Sequence, residues 1–231
     1  MITPKRISIF TLRLPISCYF ALLALSAGAQ QPKRVVPEKV DTVATFRGAA
    51  VSIDLVGLGQ LSLSAYGQLE GALRINIKDK YFPVVELGIG RSNADEVTTK
   101  LVYKTIAPYG KAGIDFNMMK NKHDDYRLYL GFRYAFTVFK YDIKHPGIID
   151  PVWGDVLHFG AQGVKGNYHW IEGVAGIDAK IWGPVRLGWS VRYKRRLFHS
   201  SGEIGEPWYV PGFGREGSSK IGATFNVILE I

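Results

Sequence analysis

One short stretch of the sequence combines side chains that could perform nucleophilic catalysis. His199 is followed by Ser200 and Ser201, and Glu203 comes two residues later. If a carboxylate oriented the imidazole, the imidazole could accept the Ser201 proton and make this serine a nucleophile for acyl transfer. Loops such as this one commonly hold Ser and His without a catalytic role. We therefore expect no enzymatic activity from this stretch.

Sites for metals and cofactors have little support in the sequence. Cys18 is the only cysteine, and no phosphate-binding helix pattern follows the Gly-rich segment 212–217. No spacing typical of metal ligands relates four of the histidines, His123, His145, His158 and His169. We therefore expect no metal site and no cofactor.

Charged residues recur at every second position of several segments. The segment VRLGWSVRYK, residues 185–194, has Val, Leu, Trp, Val and Tyr at odd positions and Arg, Gly, Ser, Arg and Lys at even ones. A β-strand presents alternate residues on opposite faces, whereas a helix would scatter them around its surface. The pattern predicts a strand with one apolar face and one charged face.

Alternation of this kind predicts eight strands. They cover residues 47–57, 66–78, 81–91, 107–118, 126–141, 168–181, 184–197 and 219–231. Antiparallel strands joined in sequence order form an up-and-down meander that can close into a barrel. We therefore predict an all-β fold, an eight-stranded antiparallel β-barrel over residues 46–231.

The first 29 residues are typical of a cleaved secretory signal peptide. Basic residues precede an apolar run that ends in small residues, with Ala27 and Ala29 at the positions favoured before a cleavage site. The run is shorter than the roughly 18 to 20 residues that a membrane-spanning helix needs. Residues 30–45 are polar and contain prolines, so we predict a short periplasmic lead-in before the barrel.

The direction of the apolar face decides whether the barrel lies in water or in a membrane. A soluble lipocalin-like barrel that binds a ligand has the same alternation with its apolar face inside. Predicted connections that alternate between short and long are typical instead of transmembrane barrels. Aromatic residues near both sets of strand ends could form interfacial girdles: Tyr81, Tyr126 and Trp182 beside the short turns, and Tyr66, Tyr141 and Tyr193 at the other end. We therefore predict a transmembrane barrel.

If the apolar face points outward, the charged side chains fill the interior. The lumen of an eight-stranded barrel is just wide enough for side chains to fill it. We predict that they pair with one another and leave little or no path for ions. The predicted members of this network are Asp54, Glu70, Arg74, Glu86, Lys111, Asp115, Arg127, Arg133, Glu172, Asp178, Lys180, Arg186, Arg192 and Glu230.

A basic cluster follows on the seventh strand. Lys194, Arg195 and Arg196 fall where this strand should reach the outer rim. Ammonium and guanidinium groups at that height would bind the phosphates of lipopolysaccharide. The alternative is a solvated loop base without a ligand.

The last predicted strand carries a further pattern. In KIGATFNV, the residues Lys220, Gly222, Phe225 and Val227 resemble the C-terminal recognition signal of bacterial outer-membrane β-barrel proteins, although no Phe or Trp ends the chain. The resemblance implies recognition by the barrel-assembly machinery. The chain from 46 to 231 looks like the small eight-stranded barrels typified by OmpA and OmpX. This implies the outer membrane of a Gram-negative bacterium and a periplasmic N-terminus, but no particular activity.

The predicted function is therefore a structural or surface-interaction role in contact with outer-membrane lipid. The pair His199 and Ser201 is faintly similar to the site of the outer-membrane lipid A deacylases, which makes an esterase the alternative. The net charge of +9 gives no reason to expect a nucleic-acid partner in this compartment. Aromatic residues of the long loops, predicted to be exposed, would suit an extracellular partner: Trp153, Trp208, Tyr209 and Phe213.

Overall fold

The computed structural model describes residues 44–96, 100–149, 153–154, 156–200, 202 and 205–231. The predicted signal peptide and nearly all of the predicted lead-in lie outside these residues. Helix α1 (Leu55–Leu63) follows the first strand. The strands are β1 (Phe46–Asp54), β2 (Tyr66–Ile77), β3 (Tyr81–Asp95), β4 (Val102–Asn117), β5 (Tyr126–Ile149), β6 (Val156–Trp182), β7 (Val185–Ser200), β8 (Tyr209–Val210), β9 (Gly214–Arg215) and β10 (Ser219–Glu230).

Eight of the strands form one closed barrel. Their order around the barrel is β1-β10-β7-β6-β5-β4-β3-β2, and every neighbouring pair is antiparallel. Sequence neighbours pair throughout, and β1 closes the ring by pairing with β10. The predicted eight-stranded meander is confirmed. The two remaining strands, β8 and β9, form a separate small hairpin.

Polar and apolar residues are arranged inside out relative to a water-soluble barrel. On β7, Arg186 and Arg192 are buried in the interior, whereas Trp189 and Val191 are each 56% exposed on the outside. The same alternation gives the barrel an outer surface of large apolar side chains. Such a surface is typical of strands that face lipid. The fold is that of a transmembrane β-barrel, and the lipocalin-like alternative is wrong because the interior is charged.

The short connections define one end of the barrel, here called the short-turn end, and the long connections define the long-loop end. At the short-turn end, Tyr126 and Trp182 are 63% and 81% exposed, as expected for an interfacial girdle. The predicted girdle at the long-loop end is only partly correct. Tyr193 points outward, but Tyr66 and Tyr141 pack inside the barrel.

Strands β5 and β6 are far longer than their alternation predicts. Both continue beyond the end of β7 as an antiparallel ribbon, residues 139–149 and 156–166, here called the β5–β6 ribbon. The sequence predicts a loop over much of this segment, because Pro146 and several glycines interrupt the apolar alternation. Two register irregularities accommodate these interruptions.

The wall is incomplete between β2 and β10. The short strand β1 pairs with only residues 71–77 of β2 and 226–230 of β10. Residues 66–70 of β2 and 219–225 of β10 therefore have no β1 partner, and this opening is here called the wall gap. Helix α1 packs beside it against β2 and β10. No helix in the described part of the chain is long and apolar enough to span a membrane.

Candidate functional site in the barrel interior

The interior contains two layers of ion pairs. The layer nearer the long-loop end is built on Glu70, Glu86 and Glu172. Arg192 Nη1 lies 3.0 Å, 2.7 Å and 3.5 Å from a carboxylate oxygen of these three residues, in that order. Lys111 Nζ contacts the same three, at 2.7 Å, 3.6 Å and 3.2 Å. Each buried carboxylate therefore faces at least two cations, which offsets the cost of removing it from water.

The second layer lies nearer the short-turn end. Arg74 bridges Asp115 and Asp178 at 3.2 Å each. Arg186 Nε lies 2.7 Å from Asp178 Oδ1. Arg127 extends the layer by an ion pair of 2.7 Å with Glu230. The aspartates are fully buried, so this layer too combines desolvated carboxylates with matched guanidinium groups.

Arg133 joins the two layers. Its Nε donates to Glu86 Oε1 at 3.1 Å, and its Nη1 and Nη2 donate to the two oxygens of Asp115 at 2.7 Å and 2.9 Å. Two parallel bonds to one carboxylate fix the geometry as well as the charge. Gly131 leaves room for this pair, because a Cβ there would collide with Asp115 Oδ1. A continuous ion-paired network thus occupies the interior.

Two predicted members of the network have other positions. Lys180 is exposed and makes no ion pair with the described residues. Asp54 is buried but forms no ion pair with them either. Its Oδ1 accepts from Val56 N and Phe225 N, and its Oδ2 accepts from Gly57 N. Asp54 therefore caps helix α1 and joins it to β10.

The β8–β9 hairpin folds back into the mouth of the barrel. Tyr209 and Phe213 are 1% and 2% exposed and join a cluster of interior aromatic side chains. Tyr103 donates its hydroxyl proton to Tyr209 O at 2.8 Å. Gly212 has φ +80°, and a Cβ there would collide with the Tyr109 ring. The hairpin therefore closes over the network from the long-loop end.

This placement corrects the prediction that the aromatic loop residues are exposed. Tyr209 and Phe213 are buried, and Trp208 packs edge-on against Tyr66 at 5.8 Å. Only Trp153 of the predicted set is widely exposed, at 81%. The hairpin residues Tyr209 and Phe213 instead pack against interior aromatic side chains.

The three residues of the predicted rim cluster point in different directions. Lys194 lies inside the barrel, and its Nζ donates to Gly212 O at 2.6 Å, so it does not reach the outer surface. Arg195 is exposed on the outer surface. Arg196 Nη1 is paired with Glu206 at 2.7 Å. Strand alternation thus divides the predicted cluster. Lys194 and Arg196 lie on the inner face, where Arg196 Nη1 also donates to the buried Tyr168 hydroxyl at 3.2 Å, and Arg195 lies on the opposite face.

His199 has a carboxylate partner, but its predicted serine is not described. His199 Nε2 lies 2.9 Å from Glu206 Oε1. Ser201 and Glu203 lie outside the described residues. Burial alone would raise the pKa of Glu206, but hydrogen bonds to Glu216, His199 and Arg196 lower it. Glu206 thus joins the loop before the hairpin to β7 through His199 and Arg196.

The tight turn between β2 and β3 is fixed by Asp79. Lys78 and Asp79 both have positive φ, 55° and 52°, as a type I′ turn requires. The Asp79 carboxylate accepts from Asn76 Nδ2 at 2.6 Å and lies 2.9 Å from Arg47 Nη1 and 2.6 Å from His123 Nδ1. Burial opposes ionisation, but these partners lower the pKa of Asp79 below its ordinary value of 3.8.

Because its folded-state pKa is lowered, Asp79 stabilises the barrel above the unfolded pKa and loses this effect as pH falls through the folded pKa. We expect Asp79→Asn to lower the urea midpoint by a constant amount above about pH 5 and by a shrinking amount below about pH 4. Asp125→Asn, in an exposed turn, is the matched control. A pH-independent difference would contradict the assignment.

Sequence reasoning missed the hairpin, the helix and the wall gap. A signal for the helix exists, since Asp54 is a favoured N-cap residue before an apolar segment. Among the described residues, no group of three or more His, Cys, Asp or Glu side chains is arranged to hold a metal ion. The residues of the predicted assembly signal, Lys220, Gly222, Phe225 and Val227, all lie on β10.

Comparison with known proteins gives a family without an established activity. No curated protein matches the sequence. The crystal structure of Neisserial surface protein A (NspA) is similar with a TM-score of 0.41 and 13% sequence identity, over 81% of this chain and 98% of that chain. Residues 11–230 match the family described as domain of unknown function DUF6048. The chain therefore belongs to the DUF6048 family.

Proposed function

We propose that this protein is an outer-membrane barrel of a Gram-negative bacterium with a structural or surface-interaction role and no catalytic activity. The observation that carries the proposal is the combination of a lipid-type exterior with an interior filled by ion pairs and closed by a hairpin. Two ion-paired layers across the lumen leave no continuous path for a transported solute. Contacts with other molecules then fall to the loops and the outer surface.

The β5–β6 ribbon is the part best placed for such contacts. Residues 156–166 extend beyond the end of β7. Given about 3.4 Å per residue and a tilt of about 40°, this corresponds to roughly 25 to 30 Å along the barrel axis. With short turns in the periplasm, as in bacterial barrels, the ribbon stands outside the cell and the N-terminus of the barrel is periplasmic.

Cysteine labelling of intact cells tests this orientation. Outside the predicted signal peptide the chain has no cysteine. We expect Trp153→Cys, at the tip of the ribbon, to react with a membrane-impermeant maleimide in intact cells. Asp124→Cys, in the turn between β4 and β5, is the matched control and should react only after the outer membrane is permeabilised. The reverse pattern would place the ribbon in the periplasm.

The esterase alternative can be tested in the same cells. Within the described residues, its only structural support is the pair of His199 and Glu206 at 2.9 Å. Under our proposal, lipid A mass spectra are identical with and without the protein. An acyl chain that disappears only when Ser201 is intact would establish the esterase instead.

Placement in the outer membrane implies two kinds of partner, the lipids around the barrel and the machinery that assembles it. We propose that lipopolysaccharide phosphates contact Arg195, which is exposed on the outer face of β7, whereas Arg196 is paired with Glu206 and takes no part. Lys194 has no part in this contact because it lies inside the barrel. We also propose that the barrel-assembly machinery recognises β10, whose edge toward the wall gap is unpaired over residues 219–225.

A further inference from the structure

A cavity of about 380 Å³ opens through the wall gap between helix α1, the hairpin and β10. This volume lies at the low end of the range of ligand pockets, roughly 300 to 1,000 Å³. The cavity is lined by lumen-facing residues such as Arg192 and Lys194 and by Ile221 and Ala223, which are exposed on the outer face of β10. It therefore connects the interior with the region beside the barrel.

The charge of this cavity is one-sided. Its basic lining residues are Lys111, Arg192, Lys194, Arg215 and Lys220, and its lining includes no acidic residue. Lys111 and Arg192 are already paired with Glu70, Glu86 and Glu172. Lys194 Nζ lies 3.9 Å from Glu172 and donates to the carbonyls of the hairpin, Gly212 O and Phe213 O. Arg215 lies over the Trp208 ring at 4.9 Å, and no carboxylate of the described residues is within 4.0 Å of Arg215 or Lys220. The cavity therefore presents cations to an anionic ligand.

The backbone at the wall gap also requires a polar neighbour. Within a bilayer, strand edges without partners are tolerated only where protein covers them or where they line a hydrated cavity. The Asp54 carboxylate accepts a hydrogen bond from one backbone amide of this edge, Phe225 N. Residues 220–224 of β10 lie along the cavity, on a part of the strand that has no β1 partner. A phosphate and its hydration would suit both this edge and the cations.

The outer opening of the cavity is apolar. Val56 and Ile221 at this opening are 42% and 78% exposed on the side that faces lipid. A cavity of this volume accommodates a headgroup but not two acyl chains, which would extend past these residues into the bilayer. The polar interior and apolar opening thus match the two parts of one amphiphile.

From this geometry we propose that the wall gap binds a phosphate-bearing anionic lipid of the surrounding membrane, with its phosphate among Lys194, Lys220 and Arg215 and its acyl chains outside the barrel. The proposal rests on the membrane placement proposed above. Both a lipid headgroup and a dissolved phosphate compound would offer the same phosphate group to these cations. We assign the ligand to the bilayer rather than to the aqueous phase.

Lipid retention measured by native mass spectrometry tests the proposal. The purified protein is inserted in nanodiscs of phosphatidylcholine containing a minority of phosphatidylglycerol, then released into mild detergent. We expect one phosphatidylglycerol per barrel and no comparable retention of phosphatidylcholine. Equal retention of both lipids, or of neither, would overturn the proposal. Failure of the protein to insert would instead contradict the membrane placement.

Variants locate the bound lipid. Removal of one charge-assisted contact, by Lys194→Gln or Lys220→Gln, is expected to reduce phosphatidylglycerol occupancy about tenfold or more. Lys140→Gln, exposed on β5 at the opposite side of the barrel, is the matched control and should retain the lipid. Similar losses in all three variants would mean nonspecific attraction and overturn the site.

A blocking variant and a soluble competitor complete the test. Gly222 faces the cavity, and the nearest atom to a Cβ there is Lys194 Cε at 3.9 Å, so Gly222→Phe should fill the cavity and abolish lipid retention in a folded barrel. Undiminished retention in this variant would overturn the proposal. Millimolar glycerol phosphate should displace little lipid. Complete displacement would identify a site for soluble phosphates instead of a lipid.

Discussion

Replacement of Arg192 by Met is expected to destabilise the barrel by about 3 to 5 kcal/mol, the usual cost of removing one partner from a buried ion pair. Arg192 contacts Glu70, Glu86 and Glu172, each almost fully buried. Without it, three carboxylates share mainly Lys111 and Arg133. Urea unfolding in lipid vesicles, followed by tryptophan fluorescence, measures the effect.

Two further variants separate charge from packing in this experiment. The double variant Arg192→Met with Glu86→Gln should recover much of the lost stability, because it removes an uncompensated charge. Lys180→Met is the control, since Lys180 is exposed, and should change stability by less than about 0.5 kcal/mol. A change below about 1 kcal/mol in Arg192→Met would show that the network does not hold the interior together.

We also expect that the barrel conducts no ions, and that it still conducts none after the hairpin is removed. In planar bilayers we expect no stable current steps of porin size, because wide aqueous channels belong to barrels of about 16 or more strands. Replacement of residues 208–216 by a Gly-Ser linker removes the hairpin but leaves the two ion-paired layers. We therefore expect this variant to remain closed as well.

Two results would contradict this prediction, and each has a different meaning. Stable steps in the unmodified protein would show that the ion-paired layers leave a continuous water path. Steps that appear only after the hairpin is removed would show that the hairpin is the seal and that the ion pairs are permeable. The positive control is the hairpin deletion combined with Arg133→Ala, because Arg133 joins the two ion-paired layers.

The barrel itself was predictable because period-two alternation depends on local sequence. Arg186 and Arg192 are separated by an even number of residues and therefore lie on the same face of β7. Their interior position follows once the apolar face points outward. Most ion-pair members could be predicted in the same way. Their partners could not, because Arg192 and Glu70 are 122 residues apart and meet only through barrel closure.

The hairpin and the helix were not predictable for different reasons. Trp208 and Phe213 lie among Gly and Pro residues, and nothing local distinguishes an exposed aromatic loop from one that folds into a lumen. In α1, Gly57 and Gly59 disfavour a helix. The helix forms because Asp54 caps it and because Gly57 approaches Gln68 O so closely that a Cβ would be 2.6 Å away.

The position of Asp54 has a kinetic consequence for folding. One carboxylate accepts from Val56 and Gly57 at the start of α1 and from Phe225 on β10, so the same side chain caps the helix and holds this part of the closing seam. The seam between β1 and β10 is short, and it joins the ends of the barrel chain. Formation of the helix and closure of the ring should therefore occur in a single late step. In hydrogen exchange, the first amides of α1 and the amide of Phe225 should become protected together, after the β5–β6 pair has formed.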